Sequence, residues 1–100
     1  HKKSNDDEAV EVDLHIDQLL DNTNGLSSGD MLNYQLDKVR EVLAKYADHK
    51  GQKIVFIHGK GEGVLRKAIE SELKTKYKTY YFQDASFREY GFGATMVIIK

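Results

Sequence analysis

At 100 residues the chain is long enough to bury one hydrophobic core and too short for two. Its 40% apolar and 31% charged residues are those of an ordinary globular domain, and no apolar run approaches the length of a bilayer span. The absence of cysteine excludes disulfides and thiolate metal sites and fits a reducing, cytoplasmic setting.

The formal net charge of −1 is unevenly spread. The first fifty residues carry 6 Lys and Arg against 11 Asp and Glu, and the last fifty carry 9 against 5. A basic C-terminal half admits an anionic ligand there. The whole chain is nevertheless less basic than domains that bind DNA tightly and without sequence preference.

Residues 1–9 have no apolar periodicity and are expected to be a flexible lead-in or linker, so that 10–100 form the domain. If residues 1–9 are a linker, the domain sits at the C-terminus of a longer protein. From Val10 the chain alternates, with Val12 and Leu14 on one face and Glu11, Asp13 and His15 on the other, which predicts a half-buried strand. Asp13 and His15 then point the same way, about 6–7 Å apart along the strand. They form an acid–base or ligand pair, or merely a solvent face.

A short helical turn and a polar loop follow, to about residue 30. Ser27-Ser28-Gly29-Asp30 has the form of a capping box. After it Leu32, Leu36, Val39, Val42, Leu43 and Tyr46 make one apolar stripe, predicting an amphipathic helix over about 28–48 that ends near Gly51.

Residues 53–57 are apolar on both faces and predict a central, parallel strand. Then comes His58-Gly59-Lys60-Gly61-Glu62-Gly63, with three glycines at alternate positions and a lysine among them. A second helix is expected from Val64 to about Lys78. A strand-to-helix turn presents free amides and the positive end of a helix dipole, which suits phosphate. It lacks both the Gly-x-Gly-x-x-Gly spacing of dinucleotide folds and the Gly-Lys-Ser/Thr of nucleotide-binding loops. Small residues that simply permit a tight turn are the structural alternative.

Residues 79–85 and 94–99 predict two more strands joined by a glycine- and aromatic-bearing connection. Tyr80, Tyr81, Phe87, Tyr90 and Phe92 offer stacking surface for bases, although core or sheet-covering roles suit such residues better, Tyr81 and Phe82 in particular. His49 is expected at the surface.

The order β-α-β-α-β-β predicts a two-layer α/β sandwich. Its four-stranded mixed sheet has a parallel core, a closing hairpin and two helices on one face. Parallel strands end at one edge, so His15 and His58 share a rim with Asp13, Lys60 and the amides of Gly59, Gly61 and Gly63. An antiparallel last strand starts there too, adding Gly91, Gly93 and Thr95. A metal site from Asp13, His15 and His58 is a minor alternative, with zinc or manganese as the ion.

Asp13-Leu14-His15, the run from His58 to Arg66 and Gly91-Phe92-Gly93-Ala94-Thr95-Met96-Val97 together resemble the Smr (small MutS-related) family from about Val10 to Lys100. The resemblance implies a fold like the C-terminal domain of translation initiation factor 3. It also implies binding of DNA or RNA, with nicking or endonuclease activity in several members and ties to DNA repair. It carries catalytic roles to Asp13, His15 and His58, and phosphate contacts to the glycine turn and Arg66. A magnesium or manganese ion is implied if DNA is cut. The expected partner is nucleic acid rather than membrane, and the isolated domain is expected to be a monomer. Ile16 stands where most members have glycine, and the polar connection of roughly Asp21 to Gly29 is longer than usual. Both departures sit beside the proposed site; Ile16 and the acidic N-terminal half favour the alternative of a catalytically silent nucleic-acid or protein interaction module.

Overall fold

A computed structural model of the chain describes residues 9–22, 24–59, 63–85, 88 and 93–100. The elements are β1 (Ala9–Asp13), α1 (Ile16–Leu19), α2 (Ser28–Lys45), β2 (Lys53–Ile57), α3 (Val64–Lys76), β3 (Tyr81–Asp84) and β4 (Ala94–Ile98). One sheet runs β1-β2-β4-β3, with β1 parallel to β2 and β4 antiparallel to both of its neighbours.

The expected two-layer sandwich with a mixed sheet is present. The parallel core is narrower than the sequence suggests, because β4 inserts between β2 and β3. Burial explains the order. The pairs Ile54–Val97 and Phe56–Thr95, where β2 meets β4, are enclosed, whereas β3 is mostly exposed. The apolar strand therefore takes the inner position and the polar-edged one the rim. Tyr81, expected to cover the sheet, is 47% exposed on that edge strand, while Phe82 and Tyr80 pack on the core.

The core lies between the sheet and α2 and α3. Val12, Leu14, Ile54, Phe56, Val97 and Ile99 face Leu36, Val39, Leu43, Ile69 and Leu73 across it. The capping box forms as read: the Ser27 hydroxyl accepts from the Asp30 N–H at 3.1 Å, and the Ser27 N–H donates to the Asp30 carboxylate at 3.2 Å. It starts α2 cleanly, a contribution of about 1 kcal/mol. Arg40 of α2 forks onto Glu72 of α3 at 3.0 and 3.1 Å, tying the two helices together on their outer side. Both helices end two or three residues earlier than the periodicity suggests.

β1 also ends at Asp13, not His15. The Leu14 N–H still donates to the Ile57 carbonyl at 2.9 Å, so the parallel pairing continues one step before the chain turns into α1. Leu14 is fully buried, and that burial fixes where His15 emerges.

Candidate functional site

Asp13 and His15 flank the buried Leu14 at the end of β1. One carboxylate oxygen of Asp13 accepts two hydrogen bonds from His15, from its backbone N–H at 2.9 Å and from ring Nδ1 at 2.6 Å. The His15 backbone N–H holds the Asp13 carboxyl below the usual carboxylate range; burial opposes it, and the His15 imidazole adds to the lowering. An ionised carboxylate only accepts, so Nδ1 carries a proton; in the tautomer with that one ring proton Nε2 is an acceptor, and it meets no hydrogen-bond partner among the described residues. Both side chains are about half exposed, at 51% and 45%.

The Nε2 edge faces the β2–α3 turn. A Cβ built on Gly59 would lie 3.0 Å from His15 Nε2, and Gly59 has φ +82°. Glycine is required there for the backbone conformation and for access to the ring. The ends of β1 and β2 thus meet, as the shared-rim topology requires.

His58 is held differently. Its Nδ1 donates to the Gly59 carbonyl at 3.0 Å, which leaves Nε2 to accept from the Thr95 hydroxyl at 2.9 Å. Burial pushes the His58 imidazole below its ordinary value, opposed by the Gly59 carbonyl and reinforced by the Arg66 charge. Both His58 ring nitrogens are occupied, so His58 braces the turn, whereas the Nε2 edge of His15 has no hydrogen-bond partner among the described residues. Thr95, 1% exposed, has its hydroxyl satisfied by this contact. Gly93 completes the brace. Its carbonyl accepts from the N–H groups of His58 and Gly59 at 2.8 and 2.9 Å, and a Cβ on it would meet the Gly59 backbone at 3.2 Å.

Gly63 caps α3 with φ +83° and supplies no side chain to its first amides; that first turn also lacks an acidic residue. Arg66, one turn in, does not reach into the site unpaired. Its guanidinium bonds Glu70 at 3.2 Å and also Asp84 of β3. Lys60, Gly61 and Gly91 lie outside the described residues, as do Phe87, Tyr90 and Phe92. His49 is exposed and meets the Tyr46 ring edge-on.

Two features escape the sequence reading. The Arg66 partners are one: Glu70 is visible at i+4 spacing, but Asp84 comes from a distant strand. The other is Gln35, whose side-chain amide donates to the Leu14 carbonyl at 2.8 Å. Its signal is a polar residue set between Leu32 and Val39 on the helix's apolar side.

Among the described residues no three His, Cys, Asp or Glu side chains are grouped to hold a metal ion, which removes support for a three-ligand site from Asp13, His15 and His58. Among them, too, no helix is long and apolar enough to cross a membrane.

The family model for the Smr domain matches residues 30–100. The chain is 31% identical over 75 residues to the protein named endonuclease MutS2 of Staphylococcus saprophyticus, covering 71% of this chain and 10% of that protein. It is 36% identical over 67 residues to the protein of the same name from Clostridium botulinum, covering 67% and 8%. It is 41% identical over 49 residues to that of Finegoldia magna, covering 49% and 6%. The chain therefore spans a tenth or less of these relatives. The crystal structure of the Smr domain of Thermus thermophilus MutS2 superposes with a TM-score of 0.68 at 30% identity, covering 92% of this chain and 99% of that one.

Proposed function

This chain belongs to the Smr domain family, and from that premise we propose that it binds nucleic acid and cuts its phosphodiester backbone, with His15 as general base and Asp13 as the group that orients it. The observation that carries this reading is the 2.6 Å contact between Asp13 and His15 Nδ1, which leaves Nε2 facing the glycine turn. A carboxylate behind an imidazole sets its tautomer and steadies the imidazolium formed when the far nitrogen takes a proton.

On RNA, Nε2 takes the 2′-hydroxyl proton, that oxygen attacks phosphorus, and the bond to the 5′-oxygen breaks as the leaving oxygen gains a proton from water, the hydroxide so formed taking the proton back from the imidazolium. On DNA the nucleophile is water. A magnesium or manganese ion there would be held by the Asp13 carboxylate together with substrate phosphate and water, a sparse protein donor set that suits magnesium. The amides of the glycine turn and Lys60 would meet the phosphate as charge builds on it. We read residues 10–100 as the C-terminal domain of a larger cytoplasmic protein, with the preceding residues as its linker and the isolated domain as a monomer.

A second reading has its own support. Arg66 is already paired with Glu70 and Asp84, and Ile16, half-buried at the start of α1, follows His15 where most members of the family it resembles have glycine. Both suit a module that binds without cutting.

The deciding assay incubates the chain with labelled DNA and RNA, with divalent ions or chelator, and follows binding and products together. His15→Ala should abolish cutting, and Asp13→Asn should slow it by roughly a hundredfold or more, with binding retained. Binding without products from the wild-type chain would establish the silent module instead. Undiminished cutting by His15→Ala would remove His15 from the mechanism.

A further inference from the structure

The peptide unit joining Leu14 to His15 is bonded on both of its ends. Its carbonyl accepts from the Gln35 side-chain amide at 2.8 Å, and its N–H donates to the Asp13 carboxylate at 2.9 Å. The same carboxylate oxygen accepts from His15 Nδ1 at 2.6 Å. The bonds form one chain, from the Gln35 amide through the Leu14 carbonyl and the His15 N–H to Asp13 and back to the imidazole. We propose that Gln35 is a positioning residue for the Asp13–His15 pair, locking the Leu14–His15 peptide plane so that the His15 N–H is aimed at the carboxylate and ring Nε2 at Gly59. The inference rests on the proposed role of that pair.

Four features favour positioning over incidental packing. Gln35 is partly buried on the core side of α2, between Leu32 and Val39, where an unpaired amide is costly. Leu14 is anchored elsewhere by its own N–H on the Ile57 carbonyl and by its fully buried side chain, so the freedom left to this segment is rotation of the Leu14–His15 peptide plane. A rotated plane would lose the bonds at both of its ends together. The bonds are also cooperative: a carbonyl that accepts makes the N–H of the same peptide a stronger donor. The capping box fixes the start of α2, two turns before Gln35, so the donor is delivered from a well-anchored helix.

The test uses Gln35→Met, which keeps length and apolar packing but removes the donor, and Gln35→Glu, whose neutral carboxyl donates while its carboxylate repels the carbonyl. The main readout is the His15 ring in the isotopically labelled chain, by long-range proton–nitrogen correlation. A single tautomer with the proton on Nδ1 is expected in the wild type. Gln35→Met is expected to give a mixture of tautomers and a shifted His15 amide in an otherwise dispersed spectrum. Its kcat should fall roughly 10–100-fold, the scale of misplaced catalytic groups, with KM nearly unchanged. Gln35→Glu, read at a pH where its carboxyl is ionised and the imidazole neutral, should give the mixed ring through repulsion of the Leu14 carbonyl; it keeps the test decisive should Gln35→Met unfold. An unchanged tautomer and His15 amide in these variants would overturn the proposal. If the wild-type chain cuts neither DNA nor RNA while the ring still responds to residue 35, the cutting function falls and the positioning role stands. A silent ring with undiminished cutting gives the opposite result.

Discussion

Gly59 meets two constraints that no other residue satisfies together. Its φ of +82° costs an L-residue about 1–2 kcal/mol, and a methyl group on it would come within 3.0 Å of His15 Nε2. His15 is half exposed and can swing away, so Gly59→Ala should lower stability by about that backbone cost and little more. Cutting should fall much further, because the atom displaced is the one proposed to take the proton. Urea denaturation and single-turnover cleavage separate the two effects. A variant as active as the wild type would show that the Nε2 edge is not used. Gly93 is constrained by backbone rather than side chain, since a Cβ there would lie 3.2 Å from the Gly59 carbonyl carbon. A residue at 93 would therefore push the whole turn.

At the scale of elements, the site is a meeting of three strand ends. β1 supplies Asp13 and leads to His15, the end of β2 leads to His58 and Gly59, and the start of β4 brings Gly93 and Thr95. His58 fastens the second to the third, and its burial makes the fastening pH-sensitive. Its imidazole lies below its ordinary value of 6.5, chiefly through burial, with Arg66 adding to the shift while the Gly59 carbonyl, Asp84 and Glu70 oppose it. The unfolded chain then binds this proton at higher pH than the folded one. Stability from this group is complete above about pH 6.5 and is lost as pH falls below it. Urea midpoints measured at pH 7.5 and 5.5 should drop at the lower pH, and His58→Gln should remove part of that drop. Equal slopes in the two chains would mean that His58 does not carry it.

Much of this arrangement was legible in the sequence, for a physical reason. Strand alternation and helix-side topology decide which ends share a rim, so Asp13, His15, His58, Gly93 and Thr95 could be gathered from periodicity alone. The difference between the histidines was not legible, because it depends on which acceptor each ring nitrogen meets. Nor was the insertion of β4 between β2 and β3, since strand order follows from relative burial across the sheet. Gln35 was visible only as an irregularity in an apolar stripe. Its partner, a backbone carbonyl 21 residues earlier, leaves no mark on composition or spacing.

For the molecule as a whole, the question is how a chain of net charge −1 would hold a polyanion. Its basic residues are concentrated in the second half, yet Arg66, the cation close enough to influence His58, is already paired. Arg66 is shared between Glu70 and Asp84, and the Asp13 carboxylate, bonded to His15, adds negative charge beside the turn. Binding should accordingly be weak at physiological salt and should rest on few phosphates. Asp84 is the informative position, being 59% exposed and paired with a cation that lies close enough to influence His58. If Arg66 exchanges Asp84 for a phosphate on binding, Asp84→Asn releases the guanidinium and removes a repelling charge. Affinity for a short oligonucleotide should then rise severalfold. Arg66→Ala should weaken binding and reduce the slope of log K against log salt by about 1, the contribution of one phosphate contact. Titrations at several salt concentrations read both effects. If instead Asp84 holds Arg66 in the pose that meets phosphate, Asp84→Asn will weaken binding while Arg66→Ala still lowers the slope. A slope unchanged by Arg66→Ala would assign the guanidinium to folding alone, as a clasp between α3 and β3.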